Sequence, residues 1–201
     1  MNSTDETEQF AGGFAAGTLV HTDKGPVPIE NIQIGDLVLS LLEPTGEQAY
    51  KRVLNTIDHA DKHVILVSYI VDDKLPTHHI VVAADQPFWV QGRGWLPADR
   101  MEAEFVQTHD GRETYVYLAY ALFKTEREGF GWTCHRGSQE GTEVDLRGAR
   151  IEIVSENSLN GEDSGAWGFV TMTVFNLEVE SPGSYCVCDA AVRVAGSAFV
   201  R

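Results

Sequence analysis

The chain has 201 residues, with 15 Lys+Arg against 30 Asp+Glu and a formal charge of -15, giving a pI near 4.7. That length suits one domain, and a hydrophobic share of 43% excludes wholesale disorder. The acidic balance excludes nucleic acid as a natural partner, because neutralising phosphates takes clustered Lys and Arg, and no apolar run approaches the roughly 18–20 residues of a membrane span.

The start, MNSTDETEQF, is polar and acidic, unlike a signal peptide, so the chain as written is expected to be soluble and cytoplasmic. Residues 1–12 read as a flexible acidic tail, and 13–201 as one all-β domain of many short strands. The first runs are GTLVHT (17–22), VPIENI and DLVLSLL (36–42). Asp23-Lys24-Gly25-Pro26 separates them as a turn, with glycine supplying positive φ and proline fixing the exit. HVILVSYIV (63–71) and HHIVVAA (78–84) are rich in β-branched residues and predict buried strands. Asp85-Gln86-Pro87 then breaks the ladder, since proline has no amide to donate. PFWV and WLPA predict a hairpin with Trp89 and Trp95 in its core, and 113–123 reads as a strand. Residues 124–148 are charged, Gly-rich and poor in aliphatics, which predicts a loop-rich excursion. Strand signals return at ARIEIVS, lapse over 156–166, and resume over 167–180. A last hairpin pairs 184–188 with 191–195 across Asp189-Ala190. No helix of convincing length is predicted.

Three cysteines, Cys134, Cys186 and Cys188, support neither a disulfide scaffold nor a zinc finger. The Cys186-x-Cys188 pair would put both thiols on one strand face, where buried small hydrophobes are the simpler reading than metal ligands. No metal or cofactor is implied.

Three segments, in order, carry a resemblance. The first runs from Gly13-Phe14-Ala15-Ala16-Gly17-Thr18 to Ile34-Gly35-Asp36-Leu37-Val38. The second is Ala83-Ala84-Asp85-Gln86-Pro87-Phe88, followed by Gly94-Trp95-Leu96-Pro97-Ala98. The third is Val174-Phe175-Asn176-Leu177-Glu178-Val179, then Ser184-Tyr185, ending at Val194-Ala195-Gly196-Ser197. Together they resemble the Hint (Hedgehog/intein) module, in the style of bacterial intein-like and polymorphic-toxin domains.

The resemblance implies the Hint fold, a flattened pseudo-twofold assembly of β-hairpins, and the chemistry of protein autoprocessing. In that family an opening thiol or hydroxyl attacks the carbonyl before it. A Thr and a His in the second block polarise that amide and protonate the leaving nitrogen. A terminal Asn, helped by a preceding His, then cyclises to cut the chain.

This sequence departs from the pattern at each of those positions. Gly13 stands where the nucleophile belongs, and Ala83 and Gln86 replace the Thr and His. Gly183 falls where a further His is common, Ala195-Gly196 replaces His-Asn, and only Ser197 keeps a hydroxyl, at the place of the downstream nucleophile. The expectation is therefore a Hint-like domain inactive as written, serving as a structural or partner-binding module. The alternative is an active or deliberately disabled autoprocessing domain cut from a larger secreted or toxin precursor, whose partner would be its own flanking sequence. As written, little chain flanks residues 13–197 to be processed.

Substitutes for the lost groups are not supported. Asn176 occupies the place where some inteins carry an alternative Cys, and His78-His79 read as a strand-edge pair. His21 reads as a packed or edge histidine, and Asp85 as a turn residue. The acidic surface would suit a basic protein partner, although excess carboxylate also serves solubility alone.

Overall fold

Alternating β-branched and aromatic residues, punctuated by glycine and proline, leave this chain few options other than strands. The computed structural model describes residues 12–42, 45–134, 141–148, 151–155, 168–181 and 183–197. The acidic segment 1–11 and the expected loop 156–166 lie outside the described residues. Gly12, grouped with the tail by composition, is instead buried against Gln86.

Nine strands come first: β1 (Leu19–Thr22), β2 (Gly25–Pro28), β3 (Leu37–Leu41), β4 (Gln48–Val71), β5 (Lys74–Ala83), β6 (Pro87–Val90), β7 (Gly94–Pro97), β8 (Glu104–Val106) and β9 (Thr114–Ala121). Four more, β10 (Phe123–Lys124), β11 (Phe130–Cys134), β12 (Gly141–Asp145) and β13 (Glu152–Ser155), form a second sheet in that order. The chain then returns with β14 (Thr171–Val179), β15 (Ser184–Val187) and β16 (Val192–Ala195). Among the described residues the helical content is two 3-10 turns, Ile29–Asn31 and Ala98–Arg100. None is long and apolar enough to cross a membrane.

The main sheet runs β14-β4-β3-β1-β15-β16-β6-β8-β9, and β9 pairs back onto β4, so the path closes on itself. β2, β5 and β7 hang on β1, β4 and β6. β1 thus lies between β3 and β15, near the start and the end of the chain: Thr22 sits opposite Val38 and Val20 opposite Val187. Local chemistry sets the corners. In the β1–β2 turn, Thr22 Oγ1 donates to Gly25 O at 2.6 Å and accepts from Lys24 N–H at 3.1 Å, with Gly25 at φ +103°. The main core joins both chain ends. Phe14 meets the rings of Phe88 and Tyr185 edge-on at 6.2 and 6.4 Å.

Two regions depart from the expectation. The strand expected at 63–71 starts at Gln48, because its first half is a ribbon against β3 and β14 with Arg52, Leu54 and Asp58 exposed. A ribbon whose one fully buried residue is Val53 carries no apolar alternation for the sequence to show. The stretch 124–148, expected as a loop-rich excursion, holds β11 and β12. Its charges disguise an inward row: Phe130, Trp132 and Val144 are buried. Arg127 and Arg147 lie over the Phe130 ring at 3.6 and 4.3 Å, so the charged residues cover the core they seemed to deny. Gly141 is required beside Trp132, since a Cβ there would fall 2.2 Å from the indole.

Trp89 and Trp95 do pack together across the β6–β7 hairpin, with centroids 5.2 Å apart. They also cover a cation that the sequence did not suggest. Arg193 on β16 is 2% exposed, with its guanidinium 4.7 Å from Trp89 and 5.1 Å from Trp95. It donates to Ser184 Oγ and Gln107 Oε1 at 3.3 and 3.2 Å.

Candidate functional site

The residues singled out in the three segments converge on one buried junction. Phe14 and Phe175 exchange both backbone bonds, at 2.9 and 2.8 Å, which fixes Gly13 against β14. Ala83, at the end of β5, donates its N–H to Gly13 O at 2.8 Å. On the other side Gly196 N–H donates to Gly183 O at 2.7 Å, and Ser197 N–H to Leu177 O at 2.9 Å. The two ends of the domain therefore both lie against β14.

Gln86 joins them. It is fully buried at the turn between β5 and β6, just before Pro87 opens β6. Its Nε2 donates to Ala195 O and to Pro87 O, both at 3.0 Å. Its Oε1 accepts from Asn176 Nδ2 at 3.4 Å. Asn176 Oδ1 in turn accepts from Tyr185 Oη at 2.9 Å and from Leu177 N–H at 2.8 Å. Burial pushes the Tyr185 phenol up from its ordinary value, so it stays a neutral donor. Ser197 Oγ is buried with no partner among the described residues.

The junction leaves no room for added side chains. A Cβ on Gly12 would lie 2.5 Å from Gln86 Oε1, and one on Gly13, at φ +155°, 2.9 Å from Phe175 O. A Cβ on Gly196 would lie 2.5 Å from Leu177 O and 2.8 Å from Gly183 O. Backbone oxygens cannot swing aside as a side chain can.

Chemically, the linked side chains are two amides and a phenol. Amides neither take nor release protons near neutral pH, so this network can orient and bind but not shuttle a proton. Its effect is closure.

The other candidates lie elsewhere. His78 Nδ1 is 3.3 Å from Asp189 Oδ2 and its ring stacks on Tyr69. His79 Nδ1 shares a 2.8 Å hydrogen bond with Ser68 Oγ, and burial, with help from His78, lowers its pKa. His21 Nε2 bonds Cys188 O at 2.7 Å, pinning the last hairpin's turn, where Cys188 and Ala191 have φ of 65° and 48°. Asp85 faces Lys62 Nζ at 3.4 Å. Burial pushes the Cys186 thiol up to about 12 and also raises Cys188, so neither forms a thiolate near neutral pH. No group of three or more His, Cys, Asp or Glu among the described residues is arranged to hold a metal ion. Sequence reasoning missed Asn176 as the partner of Gln86, and Tyr185 as the partner of Asn176. The available signal was an amide among the buried residues of β14, which are otherwise Val174, Leu177 and Val179.

Residues 12–107 match the family model of the Hint domain. No curated protein matches the chain. Among solved structures, the bacterial intein-like domain from Clostridium thermocellum superposes with a TM-score of 0.59 at 22% identity, covering 92% of this chain and 98% of that one. The gp41-1 intein gives 0.52 at 16%, covering 92% and 99%. A DnaB intein from Synechocystis sp. PCC 6803 gives 0.50 at 16%, also covering 92% and 99%. Over residues 12–107 the chain is thus similar to the Hint domain, and its fold is similar to that of the bacterial intein-like domains.

Proposed function

We propose that this Hint domain no longer processes its own chain and acts as a structural or partner-binding module. One observation carries the reading: the Gln86 amide, bonded to Ala195 and Asn176, fills the junction where autoprocessing would need a nucleophile and a proton donor. A Cβ at Gly13 or Gly196 would press on backbone oxygens, so the side chains that chemistry requires would have to displace them. On this reading Gly13, Ala83, Gln86, Gly183, Ala195, Gly196 and Ser197 occupy the family's reactive positions without its reactive groups.

The test is direct. The protein is flanked by a short tag at each end and incubated at neutral pH with dithiothreitol, and intact mass is followed for days. Unchanged mass is expected, and release of either tag overturns the proposal. A companion variant, Gly13→Cys, Ala83→Thr, Gln86→His, Ala195→His and Gly196→Asn, checks the positional assignment. Cleavage confined to that variant supports it.

A further inference from the structure

Residues 13–15 run along the outer edge of β5, where Ala83 N–H donates to Gly13 O and Ala15 N–H to Val81 O at 3.0 Å. At Ala16 and Gly17 the chain turns off that edge toward β1. Outward-facing backbone groups recur every second residue along a strand. The next along this edge are the Val81 N–H and both backbone groups of His79, and among the described residues none has a backbone partner there. This unpaired edge opens onto a groove of about 690 Å³, walled on its other side by Ile151–Ile153. The segment includes the start of β13, the outermost strand of the second sheet. Leu19, Tyr69 and Ile80 give the groove an apolar lining, while Glu152 and Asp189 bring carboxylates to it. The Asp189 side chain is 66% exposed.

We infer that this groove receives an extended peptide bearing Lys or Arg, which adds to β5 as a further strand. Main-chain bonds to an open edge supply affinity without regard to sequence, and flanking pockets and charges supply selection. Here the selecting charges are Glu152 and Asp189, on a chain of net charge -15, so a cationic segment is favoured and an acidic one repelled. A second copy of this chain is a poor occupant for the same reason, since it brings another -15. The inference rests on the partner-binding half of the proposed function and uses neither Gln86 nor Gly196.

The experiment uses the full chain and a fluorescein-labelled, acetylated peptide of sequence Lys-Val-Thr-Val-Lys-Val-Thr-Val. Twins carry Glu for Lys, or Pro at the second and third Val. The basic peptide is expected to bind and to slow amide hydrogen exchange at His79 and Val81. The Glu and Pro twins are each expected to bind about tenfold or more weakly. Glu152→Lys with Asp189→Lys should weaken the basic peptide about tenfold. Asp23→Lys, in the β1–β2 turn, should leave its affinity unchanged. Equal binding of the Glu twin, equal binding to the double variant, no binding of any peptide, or self-association that occupies the edge would each overturn the inference. The tag-release assay is independent of all of these, so failure here and failure of the non-processing reading are told apart.

Discussion

The side-chain amide of Gln86 donates to the backbone carbonyl of Ala195, 109 residues further along the chain, at 3.0 Å. One neutral side chain thereby holds the last strand against the turn that follows β5. Gln86→Leu keeps the volume and removes the bonds, leaving Ala195 O and Asn176 Nδ2 unsatisfied in the core. Unsatisfied buried groups cost about 1–3 kcal/mol each, so urea denaturation should show a loss of roughly that size or more. A double-mutant cycle with Asn176→Leu should return a coupling on the order of 0.5–3 kcal/mol. Additive effects would mean that the two amides act independently.

The glycines at the junction should resist even the smallest addition. Gly196→Ala sets a methyl against Leu177 O and Gly183 O, and Gly13→Ala sets one against Phe175 O and Val174 Cγ2, with the added strain of positive φ. Overpacking of this kind costs about 1–3 kcal/mol, read as a fall in the denaturation midpoint with an unchanged slope. It follows that placing larger side chains at 13 and 196 meets a stability cost of its own.

How much of this was open to the sequence depends on where each residue faces. Pro87 marked the end of β5, and the alternation through 184–195 marked the last hairpin, because both signals are local. The Gln48–Asp61 half of β4 was invisible, since Val53 is its one fully buried residue and nothing apolar alternates around it. β11 and β12 were hidden by Arg127, Arg147 and their glycines, which cover Phe130 and make room for Trp132. Gln86 was read from the sequence only as standing in place of a histidine. Its bond to Ala195 depends on the closure of the whole sheet, which no window of sequence contains.

Thiol chemistry should follow burial. Cys186 and Cys188 are buried, with thiols pushed up by desolvation, whereas Cys134 is half-buried and raised by the same cause. Native protein treated with a disulfide reagent at mildly alkaline pH should therefore react first at Cys134, with the other two labelled only as the chain unfolds. Peptide mapping after a short pulse checks the order; early labelling of Cys186 would contradict it.

Acidification should weaken the fold before its carboxylates titrate. Burial lowers the folded pKa of His63, His79 and His109 below the ordinary imidazole value of about 6.5. The unfolded chain then binds more protons in the window below 6.5, so stability is fully present above it and falls as pH drops through it. Asp110 is also lowered, by bonds from Arg112 that outweigh its burial, but that contribution is lost only below about pH 4. Urea midpoints should thus decline between about pH 7 and 5, and His79→Gln should flatten part of that slope.

The interleaving of β1 between β3 and β15 also bears on how the molecule is made. Val20 finds its partner Val187 only after the residues between them have been synthesised. At about 5–20 residues per second, one edge of β1 waits on the order of 10–30 s on the ribosome. Non-local pairings of this kind slow folding by loop-closure entropy. Throughout that interval the nascent protein offers apolar, hydrogen-bond-hungry edges to whatever else is nearby. Its demand on chaperones is therefore set by topology, and slower translation would lengthen the exposure rather than relieve it.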